Sequence, residues 1–399
     1  YKLPIFKVPS IEDIASGKSK IDTLKPVSIE DLLRRDSVNP DSNLLKKSVE
    51  NKVVCVTGGG GSIGSELCRQ IFLLKPKSLI IIDNCELNLY VIKKQLEDFN
   101  THRVDVKYLL MNCDNEKELV FEFKKNKVNI VFHSAAYKHV PLVEINQIYG
   151  LKNNVFSTLS ICEAALKANL SSVILISSDK AVRPTNIMGA SKRISELILQ
   201  AYSQKYKNNL ENSPKIKILF SMVRFGNVLD SSGSVVPLFK EQIKKGGPIT
   251  LTHPEMTRYF MTIKEAAELL LQASSMAQGG DVFLLDMGRP LKIYDLARQM
   301  IELSGLKIKD EIHPEGDIEI LNLGIRKGEK LYEELLIDAK AVNTYHPLIY
   351  RAVEKSIPFD QLMPILENMK LAIEDNNRSE VIILLKKILP EFQTELYLK

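Results

Sequence analysis

Ser178-Asp179-Lys180 sets a hydroxyl, a carboxyl and an amine on consecutive residues of a 399-residue chain. An acid beside a base can give one proton and take another in a single turnover, as an elimination requires. The lesser alternative is a surface ion pair in a strand-to-helix loop, which a position at the carboxyl end of the fifth strand disfavours. Downstream, Met188 and Lys192 stand four apart, on one face of a helix. A thioether can neither give nor take a proton, so proton chemistry here must draw on the other groups.

A second cluster lies upstream. Thr57-Gly58-Gly59-Gly60-Gly61-Ser62-Ile63-Gly64 follows an apolar run and opens an amphipathic one. Glycines at 58, 61 and 64 allow a tight turn and let backbone amides approach a pyrophosphate at a helix N-terminus. The next apolar run ends at Asp83-Asn84. An acid there can bind ribose hydroxyls, and its charge repels a 2′-phosphate, favouring NAD over NADP.

These groups need a scaffold, and the pattern around them supplies one. Apolar runs alternate with longer amphipathic stretches from Lys52 onward, predicting βαβ units and a parallel sheet. Strands are expected at 52–56, 78–82, 106–110, 129–132, 172–177 and 217–222. Helices are expected near 63–74, 86–98, 115–125, 146–168 and 188–207. The fold class is therefore α/β, a doubly wound parallel Rossmann sheet with a smaller mixed α/β substrate-binding lobe. The expected boundaries are an arm or remnant of a preceding domain at 1–50, an NAD-binding domain at 51–225, a substrate lobe at 226–345 and a mainly helical tail at 346–399. A capped short helix is expected at Ser28–Leu33, and further helices near 263–276, 293–303 and 329–336.

Composition excludes more than it assigns. Apolar residues make up 45% and charged residues 26%, as in ordinary globular proteins. The net charge is only +5, with no basic stripe interleaved with aromatics, which argues against nucleic acid as a partner. Five scattered cysteines without a CxxC pair give neither a metal-ligand pattern nor a disulfide framework. No apolar run approaches the ~20 residues of a membrane span. The chain starts at Tyr1 rather than Met, so it is expected to be part of a longer protein.

Several further motifs carry a family resemblance. The Gly-rich loop, Lys138-His139-Val140-Pro141, Ser178-Asp179-Lys180, Arg224-Phe225-Gly226-Asn227-Val228 and Gly328-Glu329-Lys330 together resemble the nucleotide-sugar 4,6-dehydratases of polysaccharide biosynthesis. Those enzymes belong to the extended short-chain dehydrogenase/reductase superfamily, and the similarity runs from about residue 25 to 345. Met188 occupies the slot where that superfamily keeps a catalytic tyrosine. This resembles the longer, membrane-attached members that act on UDP-N-acetylglucosamine in bacterial protein N-glycosylation.

The resemblance implies roles. Lys180 is the base at C5 of the sugar, Asp179 the acid at C6, and Ser178 helps handle the C4 hydroxyl. Lys192 binds the nicotinamide ribose. Cys113-Asp114 lie by the adenine, Ser134-Ala135-Ala136 pass beneath the cofactor, and Lys138 and Asn154 complete its site. Lys138 and His139 also face the substrate, with Asn227, Val236 and Pro237 at the nucleotide, Arg258 at the diphosphate and Glu329 at the uridine ribose. Family members often have Thr at position 178 and Pro at 327, where this chain has Ser and Lys.

The expected function is NAD-dependent dehydration of UDP-N-acetylglucosamine to its 4-keto-6-deoxy form, a lyase reaction in which tightly bound NAD is regenerated. The alternatives are a nucleotide-sugar epimerase of the same fold and a catalytically silent NAD- or nucleotide-sugar-binding module. A homo-oligomer is expected from the resemblance. So is a position at the cytoplasmic face of the bacterial inner membrane, with attachment only through a region preceding this chain.

Overall fold

A computed structural model describes residues 6–7, 25–26, 38–98, 104–208, 218–326, 328–336 and 341–392. The chain divides into two compact units. The larger comprises 39–226, 263–286 and 328–399; the smaller comprises 1–38, 227–262 and 287–327.

In the larger unit, helix α1 (Ser42–Val49) precedes strand β1 (Val53–Thr57). Then follow α2 (Ser62–Leu73), β2 (Ser78–Asp83), α3 (Glu86–Asp98), β3 (Asp105–Leu110), α4 (Glu116–Asn126) and β4 (Ile130–His133). After β4 come α5 (Val140–Ile145), α6 (Gln147–Leu151), a π-helical turn at Lys152–Phe156, and α7 (Ser157–Lys167). The chain continues through β5 (Ser172–Ile176), α8 (Ile187–Asn208) and β6 (Leu219–Arg224). It returns with α9 (Ile263–Ser275) and β7 (Val282–Leu285), and closes with β8 (Ala341–Asn343), β9 (Ile349–Ala352), α10 (Phe359–Glu374) and α11 (Arg378–Ile388).

The nine strands form one sheet in the order β8-β9-β7-β6-β5-β4-β1-β2-β3. The run from β3 to β7 is parallel throughout, and β9 and β8 add antiparallel pairs at one edge. The order 3-2-1-4-5-6 is that of a doubly wound dinucleotide-binding sheet, as the alternating pattern implied. Every residue of β1, β2, β4 and β5 is buried, because helices cover the sheet's faces. The edge strand β3 leaves Asp105 and Lys107 exposed, which discourages pairing with another chain. Helices α10 and α11 explain the apolar pattern of the tail. Phe359 on α10 meets Tyr202 on α8 edge to face, ring centres 5.0 Å apart.

The smaller unit has its own strand pairs. Ile249–Leu251 runs parallel to Ile318–Asn322, and Asn227–Val228 runs parallel to Phe260–Met261. Thr257–Arg258 pairs antiparallel with Leu291–Lys292, and helices span Val235–Lys244 and Ile293–Leu303.

Three expectations are corrected. The helix expected at 146–168 is broken by the π turn, which an amphipathic pattern does not reveal because one extra residue barely disturbs its period. Strand β6 extends to Arg224 rather than stopping at Met222; the buried guanidinium is neutralised by Glu196 and Glu354, so its charge does not end the strand. No helix forms at 328–336. The helix expected at Ser28–Leu33 lies outside the described residues, as does Lys217.

Candidate active site

The carboxyl ends of the parallel strands lie side by side, with Thr57 of β1 opposite Ile82 of β2 and His133 of β4. From Thr57 the chain turns through the glycines and enters α2, for which Gly61 is the N-cap. The first amides of α2 have no partner within the helix, a ready position for an anion. Gly58 has a φ of +65°, and a Cβ there would sit 2.7 Å from the Ala135 Cα. The glycine loop therefore lies directly on the Ser134-Ala135-Ala136 turn. Ser62, Ile63 and Gly64 form the first turn of α2.

Asp83 closes this loop. Its Oδ2 accepts the Gly60 N–H at 2.9 Å and its Oδ1 the Cys85 N–H at 2.9 Å, with the carboxylate buried at the end of β2. Its neighbour Asn84 is exposed and donates to Asn112 at 3.1 Å. Beyond β3, Asp114 is exposed and Cys113 is buried. Burial pushes the Cys113 thiol up to about 12, so it stays protonated and acts as a small apolar group.

A directed hydrogen-bond chain runs beneath the loop. His133 Nδ1 lies 2.7 Å from Thr57 Oγ1, and its Nε2 lies 3.2 Å from Thr158 Oγ1. The Thr158 hydroxyl donates back to the Asn154 carbonyl at 2.8 Å, so it accepts from His133 Nε2–H, and Nδ1 accepts from Thr57. Burial, with the Lys192 charge, lowers the His133 pKa to about 3, which keeps the ring neutral. Asn154 sits in the π turn and holds both backbone groups of Tyr137, at 2.7 and 3.0 Å, while its amide also donates to Ser191 at 2.9 Å. The loop leading to the exposed Lys138 and His139 is thus tied to α8. Sequence reasoning missed His133, although a polar residue ending an apolar strand was the available signal.

Beyond β5 the chain makes a short 3-10 turn over Asp179–Ala181, capped by the Ser178 side chain, which accepts the Lys180 N–H at 3.2 Å. Asp179 is fully buried. Its Oδ1 accepts from the Ser178 hydroxyl at 2.8 Å and from the Lys180 ammonium at 3.0 Å. Its Oδ2 is buried without a hydrogen-bond partner. An orphaned carboxylate oxygen is costly unless something else comes to meet it. Helix α8 carries Met188, buried, and Lys192, whose ammonium donates to the Ile176 carbonyl at 2.6 Å. Burial lowers the Lys192 pKa to about 8 against the pull of Glu196. Gly189 lets α8 touch this turn, since a Cβ there would lie 2.2 Å from the Lys180 carbonyl oxygen.

A buried ion lattice underpins the turn. Arg224 binds Glu196 through Nε at 2.7 Å and Nη2 at 2.6 Å, and reaches Glu354 at 2.5 and 2.8 Å. Arg193 joins the same two carboxylates at 3.0 and 2.8 Å, and the Ser177 hydroxyl donates to Glu196 at 2.6 Å. Two arginines and two glutamates balance in charge, joining β6, α8, the end of β5 and the segment after β9.

The segment 328–336 owes its irregular path to the same turn. Gly328 O accepts from Thr185 at 2.9 Å and Asn186 at 3.0 Å; the Lys330 ammonium donates to Val182 O at 2.8 Å. Arg183 pairs with Glu334 at 3.3 Å, and Arg224 reaches Leu335 O at 3.5 Å. These contacts override the helical pattern of the sequence. They also bring Glu333, buried, to 3.5 Å from the Lys180 ammonium. Reading 329–336 as a helix hid that carboxylate. Glu329 lies partly buried in the same segment.

In the larger unit the structure thus gathers Thr57 to Gly64, Asp83, Ser134 to Ala136, Asn154, Ser178 to Lys180, Met188 and Lys192 along one sheet edge. Asn227, Val236, Pro237 and Arg258 belong to the smaller unit. There Asn227 donates its N–H to Tyr259 O at 3.1 Å, Val236 and Pro237 open a helix, and Arg258 is buried and donates to Thr257 O at 2.8 Å. Among the described residues no group of His, Cys, Asp and Glu is arranged to hold a metal ion.

Residues 54–354 match the family model described as polysaccharide biosynthesis protein. The chain is similar to the capsular polysaccharide biosynthesis protein CapD of Staphylococcus aureus, 47% identical over 83% of this chain and 53% of that protein. It is 31% identical to a UDP-glucose 4-epimerase of Rickettsia rickettsii, over 72% of this chain and 78% of that one. Among solved structures, Pen from Bacillus thuringiensis matches with a TM-score of 0.66 and 29% identity, covering 80% of this chain and 98% of that one. The chain spans about half the length of CapD. With its doubly wound sheet, glycine loop and matching relatives, the chain belongs to the polysaccharide biosynthesis protein family, within the short-chain dehydrogenase/reductase superfamily of nucleotide-sugar dehydratases and epimerases.

Proposed function

We propose that this chain dehydrates UDP-N-acetylglucosamine to the UDP-4-keto-6-deoxy sugar. The observation that carries the reading is the buried Asp179, whose Oδ2 has no hydrogen-bond partner while its Oδ1 holds Lys180 and Ser178. An acid and an amine kept in contact at the carboxyl edge of such a sheet suit a paired proton transfer better than a structural bridge.

The residues around the glycine loop fit NAD. A Cβ at Gly58 would clash with the Ala135 backbone, so only glycine lets the loop lie against Ser134 to Ala136; Gly61 caps the N-terminus of α2, and Asp83 is held at the loop's mouth. Bound there, NAD would supply the hydride acceptor and donor that the reaction needs at C4 and C6. Lys192 would hold the nicotinamide end, Ser134 to Ala136 would form its floor, and Asn154 fixes the neighbouring Tyr137 backbone from behind. Ser178 and Asp179 together take the C4 hydroxyl proton. Lys180 removes the C5 proton, and Asp179 gives the C4 proton to the C6 hydroxyl, which leaves as water. Lys180 then returns a proton to C5. Asn227, Val236, Pro237, Arg258 and Glu329, with Lys138 and His139, bind the nucleotide sugar. Arg258 is suited to a diphosphate by its planar guanidinium. Attachment to a membrane through a region outside this chain, on its cytoplasmic side, and a homo-oligomeric state belong to the same proposal. No described helix is long and apolar enough to cross a bilayer.

Incubation with UDP-N-acetylglucosamine is expected to give a product lighter by one water without added reductant. An unchanged substrate mass from folded, NAD-loaded protein would refute the reading. Epimerisation is the second reading, favoured by the relatives of that name at 31–32% identity. It would leave the mass unaltered and change the stereochemistry at one carbon. Met188, where the superfamily keeps its tyrosine, speaks against it.

A further inference from the structure

We propose that Glu333 is a positioning residue, a second counter-ion that stays with Lys180 when Asp179 becomes protonated. The inference rests on the elimination reading above and gives a role to a carboxylate outside the motifs that carry it.

The argument starts from charge. Lys180 touches two buried carboxylates, Asp179 at 3.0 Å and Glu333 at 3.5 Å. The lysine side chain keeps 22% of its surface exposed, while those of Asp179 and Glu333 keep 0% and 3%. In the proposed cycle, Asp179 gains the C4 proton before Lys180 takes the one at C5. Asp179 is then neutral at the moment an ammonium forms beside it. Alone, that ammonium would face a poorly solvated site with its partner discharged. Glu333 keeps its charge through the step, favours the ammonium and so strengthens the amine as a base.

The surroundings of Lys180 bear this out. From its own turn it faces Asp179, whose Oδ1 also accepts from the Ser178 hydroxyl. From the 328–336 segment it faces Glu333, while Lys330 is turned to Val182 O and Glu334 pairs with Arg183 at the exposed margin. Lys192 is directed to Ile176 O. Ties at Gly328, Lys330, Glu334 and Leu335 hold the irregular segment that delivers Glu333.

The test is the pH dependence of kcat in wild type, Glu333→Gln and Glu333→Asp, followed by product mass. The amine must be unprotonated to act, so the rate rises with pH through the Lys180 ionisation. An opposite charge this close shifts a pKa by one unit or more, so Glu333→Gln is expected to move the rise about one unit lower, with a reduced plateau rate. Glu333→Asp keeps the charge but draws it back, and is expected to fall between the two. Should Glu333→Gln not fold, Glu333→Asp decides alone. A rise at the wild-type pH in the folded variants overturns the inference, whatever happens to their rates. If wild type itself removes no water, the elimination reading has failed instead.

Discussion

Lys180→Arg is expected to fold, to bind NAD and to dehydrate its nucleotide sugar about 10²–10⁴ times more slowly than wild type. Arginine keeps the positive charge that Asp179 and Glu333 require, so neither buried carboxylate is stranded. It cannot give up its proton, with a pKa above about 12, and so cannot act as a base. The substitution therefore separates the charge of Lys180 from its basicity. Solvent isotope sharpens the result. In heavy water the wild-type product is expected to carry deuterium at C5, because the proton returned there has exchanged on the amine. Lys180→Arg should lose both water elimination and deuterium uptake. Dehydration within tenfold of wild type would show that some other group is the base.

Arg224→Met is expected to destabilise the fold by about 3–5 kcal/mol, since removing one member of a buried ion network leaves a buried charge uncompensated. Here Glu196 and Glu354, both within the lattice under the Ser177–Lys180 turn, would be left to share Arg193 alone, one buried negative charge in excess. Against a total stability of about 5–15 kcal/mol, that loss is large. Urea denaturation at neutral pH measures it, and a midpoint close to wild type would show that the lattice contributes little. The same lattice sets an acid limit. Burial alone would raise the Glu196 pKa, but Arg224 first, then Arg193 and Ser177, bring it down to about 2 from an ordinary 4.5. A carboxylate with a depressed native pKa stabilises the fold fully above its unfolded value. The contribution of Glu196 is therefore complete above about pH 4.5 and fades as pH falls toward 2. Wild type should lose stability across that window; Arg224→Met should lose far less there.

The parts legible in the sequence were those encoded locally. The strand–glycine–helix arrangement, the acid ending the next strand and the Met188–Lys192 spacing all depend on a few neighbouring residues. The alternation of apolar runs gave six parallel strands, each placed within two residues of its observed start and end. What could not be read depends on contacts between distant parts. The 328–336 segment has a helical pattern, yet its carbonyls and side chains bind residues 182–186 and Arg224. Glu333 gains meaning only through that docking. His133 was visible as a polar residue at the end of Ile130-Val131-Phe132, but its tautomer is fixed by Thr57 and Thr158 on other elements. The lattice around Arg224 is likewise assembled from three elements and a connecting segment.

The parallel sheet has a consequence for how variants of this protein should fail. Thr57, Asp83, His133 and Ser178 lie at or just past the ends of strands about 4.8 Å apart. A strand displaced by one residue would turn its side chains to the opposite face, so the sheet offers no gradual misalignment. Substitutions deep in it, such as Val131→Ala or Leu175→Ala, should thus reduce the number of working molecules and leave each survivor near full speed. Counting competent sites by NAD titration against total protein separates quantity from quality. A full complement of slow molecules would contradict it. Defects in the sheet would then be matters of dosage, and changes in what the enzyme does would arise at its loops.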